Sequence, residues 1–92
     1  MEERAERKKA GIRIDYRRRG LPRSRADLVD ISKTGCLIDT SASVRIGESI
    51  SIYLGNLQPL RSNVVRVAGF QVACQFERPI DDAVYEHWAS KL

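Results

Sequence analysis

Asp30-Ile31-Ser32-Lys33-Thr34-Gly35 closes one run of apolar residues and opens the next, and its reading decides the fold. Asp and Ser stabilise turns by bonding their own backbone, and Gly35 stands where the chain turns sharply. Before it, Ala26 to Ile31 reads as a strand. Period two predicts Val29 and Ile31 on one face and Asp30 and Ser32 on the other. After it, Cys36, Leu37 and Ile38 make a short strand, followed by a polar loop from Thr40 to Glu48.

Outward from this turn the same alternation recurs. Upstream, Ile12, Ile14 and Tyr16 alternate with Arg13, Asp15 and Arg17, and Gly20-Leu21-Pro22 breaks that strand. Downstream, Ile50, Ile52 and Leu54 alternate with Ser49, Ser51 and Tyr53, and Gly55-Asn56 supplies a turn. Leu60 to Val67 gives another strand, with Val65 and Val67 expected on one face and Val64 and Arg66 on the other. Ala68-Gly69 makes a tight hairpin into Phe70 to Phe76, where Val72, Cys74 and Phe76 share a face. After Pro79 the period changes. Asp81-Asp82 suits a helix start, and Val84, Trp88 and Leu92 fall at i, i+4 and i+8 beside Tyr85. Six short strands and one helix predict a mostly β fold, a six-stranded antiparallel β-barrel with a C-terminal α-helix over residues 81–91.

The 92 residues suit one domain, so one modest core must hold the fold. Residues 1–11 read as a flexible basic arm and residues 12–92 as the barrel domain. No run approaches the roughly 18 apolar residues of a membrane span, and no apolar leader opens the chain, so the cytoplasm is the expected compartment. Cys36 and Cys74 are too few for a disulfide framework or a Cys-rich zinc site and read as core residues. His87, the single histidine, has no nucleophile candidate nearby. There is no glycine-rich phosphate loop, metal-ligand cluster or nucleophile–base pair, so catalysis and a cofactor are not expected.

Charge is placed unevenly. The formal net charge is +4, and of 16 Lys and Arg residues ten precede residue 26: Arg4, Arg7, Lys8, Lys9, Arg13, Arg17, Arg18, Arg19, Arg23 and Arg25. Such an arm suits either an anionic partner or a solvated tail. The Arg17–Arg19 run raises nucleic acid as a partner. With only 7% aromatic residues and no stacking platform among the cations, that reading is disfavoured.

The Asp30 carboxylate can accept hydrogen bonds from the N1–H and N2–H₂ edge of a guanine. The Ser32 hydroxyl can reach a base or phosphate, and glycine at position 35 lets a flat ligand approach the backbone. The same residues also serve as a plain structural turn. In order and context, D-x-S-x-x-G at residues 30–35 resembles the second signature of the PilZ domain family. Gly47-Glu48 before an apolar strand resembles its middle segment, and Gly69-Phe70 through Gln75-Phe76, then Pro79 and a helix, its closing strand and cap.

That resemblance implies a receptor for cyclic di-GMP, a bacterial second messenger, with no enzymatic activity. It implies binding through Asp30, Ser32 and Gly35 together with an upstream R-x-x-x-R. Arg4 and Lys8 have that spacing, and Arg7 or Lys9 can substitute; Lys9 and Arg13 match imperfectly, and Arg13 and Arg17 match literally but inside the first strand. A lysine keeps the charge but loses the planar fork. The implied partners are cyclic di-GMP and an unidentified downstream effector protein, with no membrane, the chain acting as a monomer or weak homodimer. The alternative is a PilZ-like adaptor that no longer binds the nucleotide and works through protein contacts at Tyr53, Tyr85 and Trp88.

Overall fold

The computed structural model describes residues 12–55 and 58–92. The predicted alternation is realised as strands β1 (Ile12–Arg18), β2 (Arg23–Ile31), β3 (Gly35–Asp39), β4 (Ser49–Tyr53), β5 (Leu60–Ala68) and β6 (Gln71–Phe76), followed by helix α1 (Asp82–Ala89). They form a closed antiparallel barrel in the order β1-β2-β3-β6-β5-β4. Pairing of β1 with β4, Arg18 opposite Ile50 and Asp15 opposite Tyr53, completes the ring and leaves no open edge.

One face of each strand fills the interior. Ile14 and Tyr16 of β1, Ile50 and Ile52 of β4, and Val72, Cys74 and Phe76 of β6 are all buried, as their period predicts. Fully burying such a side chain contributes about 1.5–3 kcal/mol, so this layer carries most of the stability. Tyr16 brings a hydroxyl into the core, where it shares a 2.7 Å hydrogen bond with Thr40 Oγ1. The Ala42 N–H also donates to that oxygen at 3.3 Å.

Two strands depart from the predicted faces, and both for the same reason. β2 begins at Arg23 and is irregular between Leu28 and Asp30: Leu28 pairs with Ile38, Asp30 with Leu37 and Ile31 with Cys36. Val29 is thus the extra residue of a β-bulge. Leu28 and Ile31 are buried, while Val29 is half-buried and Asp30 exposed, so the expected pairing of Val29 with Ile31 on one face does not hold. β5 has a matching shift between Val64 and Arg66. Val64 is buried and Val67 half-buried, whereas Val65 and Arg66 are both exposed, so Val65 does not share a face with Val67.

The helix is shorter than residues 81–91 and ends at Ala89, so Leu92 lies beyond it. Asp81 takes the N-cap position without a side-chain cap bond, and Asp82 is the acidic residue of the first turn. Val84, Tyr85, Trp88 and Ala89 pack on the core. The Ile80 N–H donates to the Lys33 carbonyl at 2.9 Å, and Lys33 pairs with Asp82. The helix therefore covers the barrel end that carries the Ser32–Thr34 turn. The basic arm expected at residues 1–11 lies outside the described residues. Among the described residues no helix is long and apolar enough to cross a membrane.

Candidate functional site

The two bulges lie on the strands that flank the β3–β6 pair, and together they shape its outer surface. Asp30 is opposite Leu37, Leu37 opposite Ala73, and Ala73 opposite Arg66. These four residues form one cross-strand row over β2, β3, β6 and β5. The outer ends are a carboxylate and a guanidinium, and the two middle residues are apolar and half-buried. Along the curved sheet the row spans three strand spacings, roughly 14 Å of arc. The result is a groove of about 430 Å³ that also takes in Ser32, Val65 and Gln75.

Asp30, Ser32 and Gly35 are brought together here as expected, but the structure gives the last two particular local duties. The Ser32 hydroxyl accepts hydrogen bonds from the Thr34 N–H at 3.2 Å and the Gly35 N–H at 3.1 Å. It thereby builds the turn between β2 and β3. Gly35 has no positive φ. A Cβ there would lie 2.3 Å from the Cys74 carbonyl oxygen, so glycine is required by the close approach of β3 to β6. That is a different reason from the ligand approach and sharp turn expected of it. Among the described residues Asp30 accepts only its neighbour's backbone, the Ile31 N–H at 2.9 Å, and keeps acceptor capacity towards the groove.

The expected arm residues Arg4, Arg7, Lys8 and Lys9 lie outside the described residues. β1 nevertheless starts with Ile12 opposite Leu28. Ile12 thus lies beside the strand that carries Asp30. Arg13 belongs to a surface pair with Asp27 at 3.0 Å. Arg66 is the groove residue that sequence reasoning missed. Period two alone placed it opposite Val65, and only the pairing through β3 and β6 sets it across from Asp30. Among the described residues no carboxylate lies within ion-pair distance of it.

Elsewhere several cations are answered by carboxylates. Arg18 binds Glu48 at 2.8 Å, and Asp15 faces Arg23 at 3.3 Å and Arg25 at 3.8 Å. Hydrogen bonding from the Arg45 N–H, with Arg18 adding to it against some burial, holds the Glu48 carboxyl below the usual range. Arg17, Ser51 and Arg61 are cross-strand neighbours on another wall of the barrel, in a groove of about 290 Å³. The Arg23 guanidinium lies 3.9 Å above the Tyr53 ring and covers it, so this basic face lacks an open aromatic platform. Cys36 and Cys74 are buried opposite each other. The neighbouring thiol and burial push Cys36 well above the ordinary thiol range, which suits a packing role. Among the described residues no cluster of His, Cys, Asp or Glu is arranged to hold a metal ion.

These elements define a small closed barrel with a groove over one strand pair and a capping helix. The profile of the PilZ domain matches residues 3–90, and the chain belongs to the PilZ domain family. PilZ domains are binding and adaptor domains of the cyclic di-GMP receptor family, not enzymes. No curated protein and no solved structure gives a significant match to the chain.

Proposed function

We propose that this chain is a cyclic di-GMP receptor of the cytoplasm that relays the level of the nucleotide to a downstream protein. The observation that carries this reading is the exposed Asp30 carboxylate at the wall of a groove whose floor is Leu37 and Ala73. A guanine can lie flat on that floor and present its N1–H and N2–H₂ donors to Asp30. Residues 1–11, which precede Ile12 in the chain, bring Arg4, Arg7, Lys8 and Lys9. These supply cations for the two phosphates of the ligand. Engagement of these cations by the ligand would change the surface offered to an effector.

Calorimetric titration with cyclic di-GMP tests this, with GTP and cyclic GMP as controls. Saturable and selective binding is expected, lost in Asp30→Ala and weakened in Arg4→Ala. Flat heats at high ligand concentration would sink the receptor reading. One observation favours the adaptor alternative in that event: the Ser32 hydroxyl is engaged in its own turn, so the motif also has a purely structural use.

A further inference from the structure

Among the described residues Arg66 is the cation that lines the groove of Asp30. A regular strand would alternate Ser62, Val64 and Arg66 into the interior, and the first two of these are indeed buried. The bulge between Val64 and Arg66 shifts the phase. It keeps a charge out of the core and turns Arg66 outward beside Val65. There Arg66 ends the row that Asp30 begins, with Leu37 and Ala73 between them. Arg13, Arg18, Arg23 and Arg25 are all occupied by carboxylates. No carboxylate among the described residues competes for Arg66, and it lines the groove.

The chemistry of the two ends is complementary to one flat ligand. Asp30 only accepts when ionised, so it takes a donor edge, the N1–H and N2–H₂ of guanine. Arg66 only donates, through a planar fork that matches the adjacent pair of acceptors, O6 and N7. Asp30 and Arg66 line one groove with Leu37 and Ala73, so a short side chain and a long one can face one purine ring lying over that floor. We propose that Arg66 is a second base-recognition residue of this groove, holding the O6/N7 edge of the guanine whose donor edge faces Asp30. It thereby supplies the bidentate contact that a lysine at position 8 cannot make. This inference rests on the receptor reading above and adds a residue to its site.

The test is titration of the full chain with cyclic di-GMP, comparing wild type, Asp30→Ala, Arg66→Ala and Arg66→Lys. Arg66 is exposed, so its variants should keep the wild-type melting temperature, which separates a binding effect from misfolding. Arg66→Ala is expected to weaken binding about 10- to 100-fold, and Arg66→Lys to recover little of that loss, because an ammonium has no fork. Wild-type affinity in Arg66→Ala, with binding abolished in Asp30→Ala, would overturn the role of Arg66 and leave the receptor reading standing. Full recovery in Arg66→Lys would overturn the base-edge contact in favour of a simple charge. Flat heats with the wild-type chain would overturn both readings together.

Discussion

Replacing Gly35 by alanine separates two reasons for having glycine in the motif. If the residue served only to let a ligand near the backbone, Gly35→Ala would spare stability and damage binding. The structure argues otherwise. The added methyl carbon would sit 2.3 Å from the Cys74 carbonyl oxygen, about 1 Å inside an ordinary C–H···O contact of roughly 3.3 Å. That oxygen is main chain, so no rotamer change relieves the clash, and β3 and β6 must move apart. Overpacking of this kind costs about 1–3 kcal/mol, and a backbone neighbour places the cost at the upper end. For a domain of this size about 3 kcal/mol lowers Tm by roughly 12–24 °C. Gly69→Ala is the control: its φ of +63° strains an alanine, but nothing among the described residues lies within 4 Å of the new methyl. That strain costs roughly 1–2 kcal/mol. Urea unfolding of both variants decides the matter. Equal midpoints for Gly35→Ala and Gly69→Ala would refute the steric account.

Three further outcomes follow from the packing. Tyr16→Phe removes the 2.7 Å hydrogen bond to Thr40 in the core and should cost about 1–2 kcal/mol in urea unfolding, with the barrel intact by circular dichroism. Trp88→Ala strips the half-buried ring that covers Gly55; a loss of roughly 2 kcal/mol is expected, below that of a fully buried aromatic, and an unchanged Tm would show that the helix is not seated there. Glu48 gives a pH dependence with a definite sign. Its carboxyl is held below the usual range by the Arg45 N–H and by Arg18, so its contribution is present above about pH 4.3 and is lost as pH falls through the folded value. The Tm of the wild type should therefore fall more steeply than that of Glu48→Gln as pH drops from about 5 to 3, and parallel curves would contradict the pairing.

How far the fold could be read from residues depends on whether each strand keeps its phase. β1, β4 and β6 hold period two without interruption, so Ile14 and Tyr16, Ile50 and Ile52, and Val72, Cys74 and Phe76 were legible as core from their spacing. β2 and β5 keep it only up to Leu28 and Val64. Beyond those points a fixed period puts the wrong residues inside, because an inserted residue leaves no mark in composition. The C-terminal stripe was legible for Val84 and Trp88 but overran at Leu92, which lies past the last helical turn. Asp30, Ser32 and Gly35 were legible because local turn chemistry joins them within six residues. Arg66 was not. Its relation to Asp30 runs through Leu37 and Ala73, and no local pattern encodes a pairing between distant strands.

The two bulges and the groove have one physical origin. A barrel of few strands must curve tightly, and bulges increase local twist and bend the strand that carries them. Here both sit on the strands bordering the β3–β6 pair. Each uses its extra residue to turn two successive side chains outward, Val29 with Asp30 on one side and Val65 with Arg66 on the other. Curvature that helps close the barrel thus raises a wall on each side of a two-strand floor. The floor can be shallow and apolar because Leu37 and Ala73 stand over buried Cys36 and Cys74 in register. Closure and recognition therefore draw on the same irregularities. A substitution that regularised β5 would do more than shift Arg66. It would drive that charge towards the core, where an unpaired guanidinium is strongly unfavourable. The binding wall and the closure of the barrel thus depend on the same bulge.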